Sequence, residues 1–287
     1  GALSGHERDA PRGASDSFTG SERATNPRPT VNAANPPTSA WPRRLALWTF
    51  LAAIPLVLFG GTVTTLRAGL AESGWLMPDG YFLWLYPLEM RVRDLGTFVE
   101  HHHREFGSLV GLLAVALVCV TFACDRRGRA RALAVLALAA ICVQGAIGGF
   151  RVLERNPDLA FLHGALAHGV FALLAGVALW FSRGFQSTRA VDGSTAPVRL
   201  ARITAGLVYV QIVVGAWYRH AHAPLALALH VMLALAVVGA VTTLGLAAGE
   251  AAKSPALPAP GRAALAGSRN RLVGLVWTQV ALGLLAT

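Results

Sequence analysis

QGAIGGFRVLERNPDLAFLH (residues 144–163) and QIVVGAWYRHAHAPLALALH (residues 211–230) are two stretches of this chain built on one plan. Each opens on a glutamine and places a glycine four residues later, Gly148 or Gly215. Each then passes a polar turn holding Pro157 or Pro224 and ends on a histidine 19 positions after the glutamine, His163 or His230. Apolar residues fill both flanks, so each stretch reads as a helix, a turn and a returning helix. The returning arm brings an imidazole in just after the turn. Gln279 and Gly283 open the same plan again, and His103 holds a comparable place at the start of an earlier apolar run. Internal repetition of this kind marks an architecture assembled from one supersecondary unit.

Working outward, seven apolar runs appear: 45–65, 99–124, 132–150, 159–181, 203–217, 225–248 and one starting at Leu272. Runs of about 20 residues match a hydrocarbon core of roughly 30 Å. Only 14% of the 287 residues are charged while 54% are hydrophobic, too little charge to solvate a soluble surface of this size. The expected fold is an all-α polytopic membrane protein of two pseudo-symmetric four-helix transmembrane bundles. Seven spans are present. The eighth, with its own histidine about 19 residues beyond Gln279, is expected after Thr287, so the chain reads as C-terminally truncated. The domain plan has a disordered N-terminal tail (1–42), an N-terminal bundle (43–184), a cytoplasmic linker (185–199) and a truncated C-terminal bundle (200–287).

A net charge of +10 could suggest nucleic acid. The arginines, however, cluster between apolar runs, at Arg43–Arg44, Arg126–Arg131, Arg183–Arg202 and Arg262–Arg271, where orientation signals belong. No nucleic-acid-binding motif accompanies them. The expectation is therefore lipid as the surrounding partner, a multi-pass place in the cell inner membrane, and a cytoplasmic N-terminus. The linker between the first two runs carries Trp75, Tyr81, Phe82, Trp84 and Tyr86, which suit the headgroup zone as a flap on the outer surface. Cys119, Cys124 and Cys142 form no CxxC pair and indicate neither zinc nor a disulfide framework.

An ionisable side chain inside a membrane span is costly and marks a functional site by default. Imidazoles from facing helices can ligate a heme iron from both sides. In the run Glu100-His101-His102-His103-Arg104, Glu100 shares a helix face with His103 and with Arg104, whereas His101 and His102 point elsewhere. Glu100 is either an ion-pair partner of Arg104 or a proton-handling group beside a His-bound iron. Arg104, Arg219 and His220 are candidate contacts for heme propionates. The alternative for Arg219 and His220 is a solvated loop. His168, five residues after His163, faces another way and reads as a packing histidine.

Gly60-Gly61-Thr62, Gly69-Leu70, Trp75 and Glu100-x-x-His103-Arg104 resemble the first half of the heme A synthase family. Gln144-Gly145, Gly148-Gly149 and His163-Gly164 continue the resemblance, and Gln211, Gly215-Ala216, Arg219-His220 and His230 extend it into the second half. The resemblance implies a membrane oxidoreductase of cytochrome c oxidase assembly that converts heme O to heme A, hydroxylating a porphyrin methyl on the way to a formyl. It implies His103 and His163 as ligands of the substrate heme and Glu100 as the group assisting chemistry. His230 becomes one axial ligand of a heme b whose second ligand lies outside this sequence. The candidate partners are heme O and the heme O synthase that makes it, with the electron donor and the choice between monomer and homo-oligomer left open. A b-type cytochrome that only passes electrons is the alternative reading. Two features depart from the family pattern: an arginine usual after the Gly-Gly-x-Thr motif is replaced by Val63-Thr64-Thr65, and the loop cysteine pair of some members is absent.

Overall fold

The computed structural model describes residues 39–187 and 196–285, and nearly all of them lie in helices. Most of the expected tail, residues 1–38, and the middle of the expected 185–199 linker fall outside the described residues. Seven long helices follow in order: α1 (Trp41–Thr65), α2 (Leu95–Cys124), α3 (Gly128–Glu154), α4 (Pro157–Phe181), α5 (Ala196–Ala221), α6 (Pro224–Ala251) and α7 (Ala259–Leu285). Among the described residues, α1 to α6 are long and apolar enough to cross a membrane. The seventh expected span forms a helix of 27 residues, but Arg262, Arg269 and Arg271 occupy its first half, so only the part from Leu272 onward is uniformly apolar.

Local chemistry sets the helix ends. Asp94 caps α2 by accepting the Thr97 amide at 2.8 Å, and the Thr97 hydroxyl returns a bond to the same carboxylate. Asn156 caps α4 through the amides of Asp158 and Leu159, with Pro157 at the first helical position, where its missing N–H costs nothing. Arg155 turns the chain between α3 and α4 in the left-handed region, at φ 50°. Proline also opens α6, at Pro224. The proline turns seen in sequence are thus the tips of helical hairpins.

α1, α2, α3 and α4 close into a ring, each packing on the next and α4 returning to α1. α5 packs on α4, α6 on α5 and α7 on α6, so the second half continues as an open series. At the end of the ring away from the 66–94 linker sits a cluster of small residues, Ala46, Ala53, Ala130, Ala134 and Ala137, closed by Val110, Leu117, Leu174, Val177 and Phe181. In lipid, apolar side chains gain nothing by leaving their surroundings, so helices associate through close backbone approach between small residues. Large residues point outward instead: Leu58, Leu112 and Leu179 are each more than half exposed. Water would penalise that distribution and hydrocarbon does not.

A paired-imidazole site at the linker end of the first bundle

Three histidines sit in the same cradle. A Cβ added to Gly60 would lie 2.9 Å from His103 Cε1, one on Gly148 would lie 2.7 Å from His163 Cε1, and one on Gly215 would lie 2.7 Å from His230 Cε1. Each ring therefore rests on bare backbone of the preceding long helix, and the glycines of the sequence repeat are what admit it. Gln144 and Gln211 stand beside their histidines as the shared spacing requires.

The first two histidines face one another. The His103 and His163 ring centroids are 6.3 Å apart, with planes at 88°. His103 Nδ1 lies 3.1 Å from the Leu56 carbonyl, and His163 Nδ1 lies 3.1 Å from the Gln144 carbonyl. A carbonyl only accepts, so His103 Nδ1 carries the proton and its Nε2 keeps the lone pair, whereas His163 Nδ1 also meets the Gln144 amide nitrogen, a donor, at 3.1 Å. The His103 tautomer is the one a metal-ligating histidine needs, with the second nitrogen fixed by a hydrogen bond behind it. Two imidazoles that each hold one ion through Nε2, at bonds of about 2.0–2.1 Å, bring their ring centroids to about 6 Å. The centroid separation of His103 and His163 matches that span. Among the described residues no cluster of three or more His, Cys, Asp or Glu is placed to hold a metal ion. Gln144 adds a 2.7 Å bond from Nε2 to the His163 carbonyl, tying α3 to α4 at the level of the ring.

His230 shares the cradle but not the pairing. Its Nε2 meets Gln211 Nε2 at 3.3 Å, its Nδ1 is buried without a partner, and among the described residues no second imidazole packs against it.

Glu100 and Arg104 lie one turn from His103 and hold the linker. Glu100 is 1% exposed, and its Oε2 accepts the amides of Ala71 at 2.6 Å and Glu72 at 3.1 Å. Its Oε1 pairs with Arg104 Nη2 at 2.7 Å. Arg104 also donates to the carbonyls of Gly74, Trp75 and Glu72. The Glu100–Arg104 pair foreseen at four-residue spacing exists, and it is a clamp on the flap. Trp75 of the same linker lies on Gly149, where any Cβ would collide with its ring at 2.1 Å.

Two participants went unseen in sequence. His101 is fully buried and pairs through Nδ1 with Glu72 Oε1 at 2.8 Å, while the Tyr86 ring stacks on it with centroids 4.5 Å apart. Burial pushes the Glu72 carboxyl up to about 7; Arg104 pulls it down, and Glu100, Asp79 and Glu105 push it further up. A helical wheel places His101 off the His103 face, as expected, but cannot say that the linker supplies a carboxylate there. Arg151 is the other. Gln144, Gly148 and Arg151 fall at i, i+4 and i+7, one stripe of α3, and that spacing was a usable signal.

The remaining candidates lie around this site. His220, near the end of α5, meets the Phe161 ring at 6.3 Å and approaches Gly164 of α4. Arg219 donates to the Thr65 hydroxyl at the end of α1. His168 is exposed, with Nδ1 at 3.3 Å from the Gly164 carbonyl of its own helix. His102 bonds the Phe98 carbonyl at 2.7 Å and packs on the Phe98 and Phe59 rings.

Six helices long and apolar enough to cross a membrane, with a glycine-cradled imidazole pair in one closed ring, define the class: an all-helical polytopic membrane protein. The Cytochrome oxidase assembly protein (COX15-CtaA) family model matches residues 43–227, more than half of the chain, and the chain belongs to that family. The match takes in Glu100, His103, Arg104, His163, Arg219 and His220, and ends just short of His230. Among curated relatives, a heme A synthase of Chelativorans sp. is 32% identical over 44% of this chain and 36% of its own length. A heme A synthase of Rhodopseudomonas palustris is 36% identical over 40% of this chain and 33% of its own. A protoheme IX farnesyltransferase of Haloarcula marismortui is 30% identical over 44% of this chain and 25% of its own length. The matched part of the chain thus spans about a third or less of these relatives. No solved structure matches.

Proposed function

We propose that the chain carries heme A synthase activity, oxidising a methyl group of heme O to a formyl through successive hydroxylations, for cytochrome oxidase assembly. The observation that carries this reading is the His103–His163 pair, with ring centroids 6.3 Å apart and each Nδ1 3.1 Å from a backbone carbonyl. The two heme A synthases among its relatives support it, as does the match to an assembly-protein family.

In this reading His103 and His163 ligate the iron of the substrate heme, which itself supplies the redox centre next to the methyl group. The chain's own residues bind and orient. The Leu56 carbonyl fixes the His103 tautomer, Gly60 and Gly148 fix the ring positions, and the Glu100–Arg104 clamp holds the linker over the pair. Glu100 acts as a positioning group through that clamp. His230, seated on Gly215, would hold a heme b, which would supply electron relay. The farnesyltransferase relative fits a chain that receives its substrate from a heme O synthase. We place the protein in the inner membrane with its N-terminus cytoplasmic, on the arginine distribution.

The test is expression of the full gene in a host lacking its own heme A synthase, followed by heme extraction and chromatography. Appearance of heme A supports the assignment. Accumulation of heme O alone, from a protein inserted at normal level, overturns it.

A further inference from the structure

One strongly basic group near the imidazole pair has no partner. Arg151 lies on the α3 stripe that also presents Gln144 and Gly148 to His163, one turn closer to the linker. Its guanidinium rests flat on the linker backbone at Gly69, where an added Cβ would sit 2.7 Å from Nη1 and 2.8 Å from Nη2. It lies within electrostatic reach of His103, His163, His220, Glu100 and Arg104. Yet among the described residues no hydrogen bond or ion pair engages it.

Its neighbours are committed elsewhere. Glu100, the acidic group in reach, is held by two amides and by Arg104. Arg104 is bound to Glu100, Glu72 and three linker carbonyls, and Arg219 is bound to Thr65. Arg151 is left with a fork of five N–H donors in a partly buried, cation-rich corner. One carboxylate would fill the fork in bidentate fashion, with two charge-assisted hydrogen bonds.

We propose that Arg151 anchors a carboxylate of the molecule held between His103 and His163, a porphyrin propionate if that molecule is a heme. The inference rests on the heme reading above and adds to it the residue that sets how the macrocycle is turned in its plane. Gly69 belongs to the same device, because the guanidinium keeps its place only while that position lacks a side chain.

The experiment is a chemical double-mutant cycle on purified full-length protein in detergent. Hemin and hemin dimethyl ester, whose propionates are masked, are titrated and followed by the Soret band. Wild type should bind hemin about ten-fold or more tightly than the ester, the scale of one charge-assisted hydrogen-bonded contact. R151Q should bind both at the wild-type ester level, with the preference gone and the bis-imidazole spectrum kept. R151K should retain part of the preference. G69A, which displaces the guanidinium without touching its charge, should erode it, while R129Q, exposed at the opposite end of α3, should keep it in full. If R151Q folds, binds hemin and keeps the full preference, the proposal is overturned while the imidazole reading stands. If R151Q fails to insert, preferences in R151K and G69A equal to wild type overturn it on their own. If wild type binds neither porphyrin, the imidazole reading fails and takes this one with it.

Discussion

The two halves of the molecule use the same part and obtain different results. In the first, glycine cradles bring His103 and His163 together edge-on, each Nδ1 against a backbone carbonyl. In the second, the same cradle holds His230, but its Nε2 meets the Gln211 amide and its Nδ1 has no partner. The cradle is therefore a property of one hairpin and needs only a glycine on the preceding helix. The pairing belongs to the ring, since it requires a second hairpin to close against the first.

The largest effect expected is on the pair itself. His103→Ala or His163→Ala should lower heme A formation at least a hundred-fold in the complementation host, with the protein still inserted, because the loss of one ligand leaves the iron held from one side. Full activity in His163→Ala would break the comparison at its root. A smaller, graded effect should follow from the cradle. Gly148→Ala forces a Cβ to 2.7 Å from the His163 ring and should weaken hemin binding to the first half about ten-fold, an off-rotamer or shifted ring costing of order 1 kcal/mol. Gly145→Ala, one turn away with nothing within 4 Å, should change nothing. Gly215→Ala should leave the first half untouched and alter only spectra assigned to His230.

The linker should respond to pH. Glu72 has a folded pKa of about 7 against an ordinary 4.5, so folding favours its protonated form. That contribution is full below about pH 4.5 and is lost as pH rises through 7. Amide exchange at Ala71 and Glu72, corrected for intrinsic rate, should therefore speed up between pH 6 and pH 8. Glu72→Gln should flatten the profile. A wild-type profile already flat would remove Glu72 from the account. The smallest effect belongs to His168→Ala: its bond is to its own helix and its ring is exposed, so activity should stay within about two-fold.

Much of this was legible in sequence, and for a physical reason. Apolar run length reads out spans because lipid demands it, and the Gln-to-His spacing reads out a hairpin because turn length fixes register. The Glu100–Arg104 pair was legible because it is local to one helix. Its use as a clamp was not, since that depends on the linker folding back onto α2. The Glu72–His101 pair was hidden for the same reason: its members are 29 residues apart and carry no periodicity in common. Arg151 was half legible. Its stripe with Gln144 and Gly148 follows from helical spacing, but its lack of a partner shows only once every neighbouring group has been placed.

The alanine cluster at the far end of the ring has a consequence for traffic. Helices that meet through Ala46, Ala53, Ala130, Ala134 and Ala137 leave no lane for a macrocycle along the bundle axis at that end, so a molecule of that size has no path to the imidazoles through the root of the ring.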